Sequence, residues 1–203
     1  MFMRLVGRRH IDEKSDTELH RAVLDGSGDA MAALYRRHGG LVYRFTLRMS
    51  RDTSIAEEVT QEVFLALLNQ ADRFDPQQAA LPTWLCGIAR RQLWKHFQRF
   101  DDHASDLSED DAPEAESLDD SPVTWLMRQE AVATVRLGLE ELPLSLKEVI
   151  VLCELEEMTY EQAALILVVP IGTVRSRLHR AKARLAALLR RDVVSAERGK
   201  ECR

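Results

Sequence analysis

Apolar residues recur every three to four positions along most of the chain, a period that predicts helices rather than strands. Ser15–Leu24 is amphipathic and stops at the Gly26-Ser27-Gly28 break. A second helix over Asp29–Met49 carries Met31, Leu34, Leu41 and Phe45 on apolar positions, and Gly39 and Gly40 weaken it. A third begins at Ser54, which pairs with Glu57 as a capping box; Ile55, Val59, Val63 and Leu67 form its stripe. After a loop over Asp75–Pro82, Thr83 caps a fourth helix to Phe100, with Leu85, Ala89, Leu93 and Phe97 facing the core. Further on, Glu130–Leu139 and Leu146–Glu154 are helices separated by Leu142-Pro143, the second packing Val149, Ile150 and Leu152.

The last part of the pattern is the most specific. Thr159 and Gln162 form a capping box, and Ala163, Ala164 and Leu167 then recur on one helical face. Val168, Val169 and Pro170 end this helix, because a residue before proline is pushed out of the α region. Gly172 and Thr173 open the next, with Val174, Leu178, Ala181 and Leu185 as its apolar stripe. Arg175, Ser176, Arg177, His179, Arg180, Lys182 and Arg184 cover its remaining surface, and Gln162–Arg191 contains no Asp or Glu. A helix entering the DNA major groove needs one face to hold it on a scaffold and another rich in donors to phosphates and base edges. The pattern is a helix-turn-helix, a motif shared by repressors, activators, recombinases and polymerase subunits.

Charge divides the 203 residues further. The net charge of −5 looks wrong for a nucleic-acid binder until Asp101–Ser121 is set aside. That stretch holds ten acids and no Lys or Arg, so the rest of the chain carries +5. With few large apolar residues it lacks the buried surface to offset its ordering entropy, and it reads as a flexible acidic linker. The expected architecture is all-α: two small helical domains joined by this linker, the second a four-helix unit containing the helix-turn-helix. The divisions are an extension over 1–14, domains over 15–100 and 123–191 about a linker over 101–122, and a tail over 192–203.

Composition excludes several alternatives. A 45% hydrophobic and 30% charged chain is that of a soluble helical protein. No apolar run reaches the roughly 18 residues of a membrane span, and the basic N-terminus lacks the apolar core of a secretory signal, so a cytoplasmic protein without membrane insertion is expected. Cys86, Cys153 and Cys202 are too dispersed for a disulfide framework or zinc knuckle, and the histidines show no metal-ligand spacing. With no nucleophile–base pair, metal cluster or phosphate-binding Gly-rich loop in the pattern, neither an enzyme nor a cofactor is expected.

Two faces of the N-terminal domain stand out. Glu58, Gln61, Glu62 and Leu65 make a mixed acidic and apolar face on the third helix, which suits either docking or plain solvation. On the fourth helix Trp84, Arg90, Arg91, Trp94 and Lys95 interleave aromatics with cations, and Pro76–Phe100 has no acid. That mixture suits single-stranded nucleic acid, where bases stack on rings and cations hold phosphates; burial of the tryptophans in the core is the other reading.

Three segments in order carry a family resemblance: AEEVTQEVFLALL (56–68), LPTWLCGIARRQLWKHFQR (81–99) and the region 139–185. Together they resemble a bacterial RNA polymerase sigma factor of the sigma-70 family, in its small two-domain extracytoplasmic-function (ECF) group. The resemblance implies that Glu58, Gln61, Glu62 and Leu65 meet the clamp helices of the largest core-polymerase subunit. It implies that Trp84, Arg90, Arg91 and Lys95, with loop residues 75–81, hold single-stranded −10 promoter DNA. Tyr160, Glu161, Thr173, Arg175, Ser176, Arg177, His179 and Arg180 would then meet double-stranded −35 DNA, with the second domain near the flap of the second-largest subunit. An anti-sigma factor is the further implied partner. The alternatives are a stand-alone helix-turn-helix regulator and a sigma mimic that binds a partner protein without loading on polymerase. Two departures from the family pattern matter: Arg91 where relatives often have Asn, and Val168 where Gly is usual, which implies either a strained turn or a different one.

Overall fold

The computed structural model describes residues 11, 13–101 and 132–201, with side chains to residue 98 in the first stretch and 190 in the second. Most of the N-terminal extension, the acidic stretch over 102–122 and Cys202 lie outside the described residues. There is no strand among the described residues. By contact the chain divides into two units, one comprising 1–110 with Glu161–Val168, the other 111–160 with 169–203.

Four helices build the first unit up to residue 101: α1 (Asp16–Leu24), α2 (Gly28–Ser50), α3 (Thr53–Asn69) and α4 (Leu81–Asp101). The helices α2, α3 and α4 pack on one another, and α1 lies on α2. Leu19, Leu34, Val42, Phe45, Val59, Val63, Leu67, Leu81, Leu85 and Leu93 are fully buried between them. Met31 and Leu41 are half-buried, and Ala30, Ala33, Val42 and Met49 fill the α2 interface instead. Gly39 and Gly40 do not interrupt α2.

Polar groups connect the parts of this bundle. His20 Nε2 donates to the Ala71 carbonyl at 2.7 Å while its ring meets Phe74 edge-on. His38 Nε2 reaches Asp16 Oδ2 at 2.9 Å, and Arg37 bonds the other oxygen of that carboxylate at 2.6 Å. The Thr46 hydroxyl lies 2.9 Å from the Val42 carbonyl and 3.4 Å from that of Ala56, close to both α2 and α3.

The helix starts explain the boundaries. Ser15 and Glu18 form a reciprocal capping box, as the Ser15 N–H donates to Glu18 at 2.8 Å and Ser15 Oγ accepts from the Glu18 N–H. The bonds from the Ser15 hydroxyl and N–H hold the Glu18 carboxyl below its ordinary range. Gly26, at φ 84°, turns the chain into α2.

Two caps differ from expectation. The α3 cap is Asp52, whose Oδ1 accepts from the Ile55 N–H at 2.9 Å, and Ser54 sits inside the first turn. An anionic acceptor at the positive end of a helix outcompetes a hydroxyl two residues later. Likewise α4 starts at Leu81, and Trp84 N–H donates to the Ala80 carbonyl at 3.1 Å. Leu81 is buried and so belongs to the packed helix, while Pro82 suits a first turn that needs no N–H. Thr83 is therefore internal, and its buried hydroxyl has no hydrogen-bond partner. Further along α4, His96 is buried where Phe97 was expected, and Phe97 is half-buried.

The C-terminal helices are α5 (132–140), α6 (Leu144–Ile150), α7 (Tyr160–Leu167) and α8 (Ile171–Glu201). The expected helix over Leu146–Glu154 starts two residues sooner and widens at its end into a π turn over Val151–Leu155. Bonds from Glu156 N–H to Val151 O and from Met158 N–H to Leu152 O, both 2.9 Å, close that end. Val149, Ile150 and Leu152 are buried as expected, and α6 packs on α8. The stretch read as a tail after Asp192 continues α8 to Glu201. No described helix is long and apolar enough to cross a membrane.

The choice of cap is testable by urea unfolding. Asp52→Ala should cost about 0.5–2 kcal/mol. Ser54→Ala should stay within about 0.5 kcal/mol of the parent. Equal losses at both positions would reject Asp52 as the cap.

Candidate nucleic-acid and protein interfaces

The turn between α7 and α8 is built on Val168, which adopts φ 55° and is 84% exposed. Of the two outcomes expected for Val in place of Gly, the strained left-handed turn is the one observed. Exposure makes it tolerable, since no core packing opposes the awkward backbone. Thr173 and Val174 N–H then donate to the Pro170 carbonyl at 2.8 and 3.2 Å, starting α8. Val174, Leu178 and Ala181 are buried, and Leu185 is half-buried.

With that stripe fixed, the polar face of α8 follows from the 3.6-residue turn. Arg175, Ser176, His179 and Arg180 are exposed; Thr173 and Arg177 are half-buried. The Arg175 guanidinium lies 5.8 Å from the centre of the Tyr160 ring, a cation–π arrangement that orients both groups. Ser176 Oγ donates to the Thr173 carbonyl at 3.1 Å, and Arg180 Nε to Ser176 O at 3.3 Å. Glu161 is exposed on α7. Behind this face, Lys182 bridges Glu154 at 2.8 Å; that hydrogen bond raises the Lys182 pKa. Cys153 beside it has its thiol pushed up to about 11, first by desolvation and then by the Glu154 charge. A thiol so protonated is a poor nucleophile at neutral pH.

The four candidate −10 residues divide between two places. Trp84, Arg91 and Lys95 line one cleft of ≈ 420 Å³ between α3 and α4, joined by Arg73, Ile88 and Gln92. Trp84 is half-buried against Phe74, with ring centres 5.6 Å apart, so it serves both core and cleft. Arg90 is not among the cleft residues; it lies 5.8 Å from the ring centre of the exposed Trp94. Arg73 was missed in the sequence, since it stands alone in a short 3₁₀ turn with no periodic neighbour.

On α3, Glu58, Gln61 and Leu65 are exposed and Glu62 is half-buried, while Ile55, Val59, Val63 and Leu67 are buried on the reverse side. Leu68, also missed, extends the face one turn beyond Leu65, and both leucines are half or more exposed. The structure also brings His96 of α4 to Glu58 and Glu62, although the sequence shows no metal-ligand spacing for any histidine.

An all-helical protein of two units, ending in a helix-turn-helix with an acid-free second helix, is a transcription-type fold. Comparison with known proteins identifies the family. Residues 34–101 match Sigma-70 region 2, and residues 134–185 match Sigma-70, region 4. The chain is 31% identical over 183 residues to the ECF RNA polymerase sigma factor SigM of Mycobacterium tuberculosis, covering 90% of this chain and 88% of that one. It is 30% identical over 181 residues to the RNA polymerase sigma-H factor of Pseudomonas aeruginosa, covering 85% and 92%. Among solved structures it is similar in fold to CnrH in complex with the cytosolic domain of CnrY, with a TM-score of 0.67 at 23% identity over 88% of this chain and 99% of that chain. It is also similar to the sigma factor RpoE bound to the anti-sigma factor NepR from Bartonella quintana, with a TM-score of 0.61 at 22% identity over 77% and 94%. The chain belongs to the sigma-70 family of RNA polymerase sigma factors, in its ECF group.

The strained turn generates a prediction. A non-glycine residue in the left-handed region costs roughly 1–2 kcal/mol. Val168→Gly should therefore raise the unfolding free energy by about 1 kcal/mol, read as a higher urea midpoint at unchanged slope. A lower midpoint would mean that the Val168 side chain makes contacts that outweigh its strain.

Proposed function

We propose that this protein binds core RNA polymerase and directs it to promoters, reading a −35 element as duplex and a −10 element as single strand. The observation that carries this reading is the order of two sigma-type regions on one chain, each presenting the exposed chemistry its role requires. The domains assigned to these roles are residues 15–100 and 123–191, with 101–122 between them.

Docking on the polymerase clamp is assigned to Glu58, Gln61, Glu62 and Leu65, with Leu68 extending the surface. Exposed leucines beside carboxylates suit a protein partner, since burial of the leucines supplies affinity and the charges set orientation. The cleft of Trp84, Arg91 and Lys95 is assigned to an unpaired −10 base and its phosphates, because an aromatic wall and convergent cations match a base and its backbone. Arg90, held against Trp94, acts beside the cleft on the DNA backbone. Arg175, Ser176, His179 and Arg180 face the −35 major groove, with Tyr160, Glu161, Thr173 and Arg177 at its margin. The second domain docks near the polymerase flap, an anti-sigma factor covers the polymerase-binding surfaces, and the protein works in the cytoplasm. Its role needs no catalytic residue, since strand opening is driven by binding energy.

In vitro transcription with sigma-free core polymerase tests the reading directly. Transcripts with discrete start sites sharing −35 and −10 elements are the expected result. Glu58→Lys with Glu62→Lys should lower core affinity at least tenfold in the same mixture; unchanged transcription would favour a stand-alone regulator. Arg175→Ala and Arg180→Ala should each weaken −35 recognition by about 1–3 kcal/mol, the discrimination expected of a bidentate base contact. Loss that is uniform across −35 sequences would assign these arginines to phosphates instead.

A further inference from the structure

We propose that Glu58, Glu62 and His96 form a binding site for a divalent transition-metal ion on the outer face of α3, and that the ion competes with docking there. The second clause rests on the clamp-docking reading; the first does not.

Glu58 and Glu62 are one helical turn apart, so their carboxylates share a face. His96 comes from α4, and one ligand atom from each of the three residues lies within 4.8 Å of the other two. His96 is 7% exposed, yet its ring makes no hydrogen bond among the described residues. The Thr83 hydroxyl is the one buried side-chain polar atom without a partner among the described residues, so the polar edge of the His96 ring is reached by water, which an ion between it and the two carboxylates would displace. The other buried histidines contrast with it: His20 bonds the Ala71 carbonyl and His38 bonds Asp16.

The geometry fits an ion between these groups. Metal–nitrogen and metal–oxygen bonds of about 2.0–2.2 Å bring adjacent ligand atoms to roughly 3–3.5 Å. The separations here close to that range by rotation of the exposed Glu58 and half-buried Glu62 side chains, while the buried ring stays fixed. One imidazole with two carboxylates and no thiolate selects Zn²⁺, Co²⁺ or Ni²⁺ over Mg²⁺ and Ca²⁺, which take oxygen ligands. Three protein ligands leave a position for water, open to solvent on the Glu58 side. The ion also cancels the two carboxylate charges on which the proposed docking face depends.

The test is a titration of the metal-free full chain with Co²⁺, followed by visible d–d absorption and reversed by Zn²⁺. One site of mixed N and O ligands is expected, without the strong near-ultraviolet thiolate band that binding to a cysteine would give. His96→Gln and Glu62→Gln should each weaken Co²⁺ binding at least tenfold. Zn²⁺ should raise the thermal midpoint of the parent and not that of Glu62→Gln, a surface change that leaves the fold intact. No Co²⁺ binding at millimolar concentration, or equal binding by parent and both variants, would overturn the site. For the second clause, saturating Zn²⁺ should lower core affinity several-fold in the parent and leave Glu62→Gln unchanged; an equal effect on both would overturn competition. Failure of the polymerase reading would appear separately, as no core binding in metal-free buffer with the cobalt titration intact.

Discussion

Burial of one face of α3 is the constraint on which the first unit depends. Ile55, Ala56, Val59, Val63 and Leu67 lie against α2 and α4, and Val59, Val63 and Leu67 are wholly inaccessible. A close-packed face leaves a helix no freedom to rotate about its axis. The outward direction of Glu58, Gln61, Glu62, Leu65 and Leu68 is then fixed without any interaction of their own. The same packing opens the cleft between α3 and α4 and sets His96 against the α3 carboxylates. One apolar interface thus positions three different kinds of chemistry.

How much of this was legible depends on whether a feature is periodic or crosses between helices. The stripe of α3 and that of α8 were readable because each is a sum over several residues at one spacing. Single-residue features were not. Asp52 and Ser54 both satisfy a capping pattern, and the choice turns on which one ends up next to the buried Ile55 N–H. Thr83 looks like a cap after Pro82, but the burial of Leu81 draws the helix back past it. At the far end of α4 a rotation of one position separates a buried Phe97 from a buried His96, which a short window does not resolve. The parts of the cleft and of the carboxylate cluster that cross between elements were invisible for a stronger reason. Arg73 and the α4 cleft residues, like His96 and the two α3 glutamates, lie far apart in sequence, and only the packing of α3 and α4 brings them together.

The α7–α8 turn shows how a local penalty is carried. A β-branched residue in a left-handed turn conflicts with its own sterics. Here the side chain points into solvent, so the strain is not compounded by packing, and the next residues recover at once through the Pro170 carbonyl. Positive φ also occurs at Arg51 and Glu157, after α2 and after the π turn. In all three cases the chain leaves one helical segment and enters another within a few residues, where a single left-handed residue reverses direction in the least space.

Charge segregation suits the proposed role, which requires two kinds of partner. The outer face of α3 is acidic and apolar, whereas the α3–α4 cleft gathers Arg73, Arg91 and Lys95, and α8 is free of acids from its start to Arg191. A surface meant for phosphates and one meant for a protein partner would poison each other if mixed, because like charges repel the intended ligand and unlike ones attract the wrong one. Placing them on separate helices avoids this without any change of conformation. It also limits where control is effective. In the proposed role, a ligand that neutralises the α3 face leaves the DNA-reading helix untouched, so polymerase loading is adjustable while promoter choice is preserved. A cation is the smallest ligand able to do so, and the carboxylates of α3 with the ring of His96 are the groups placed to receive one.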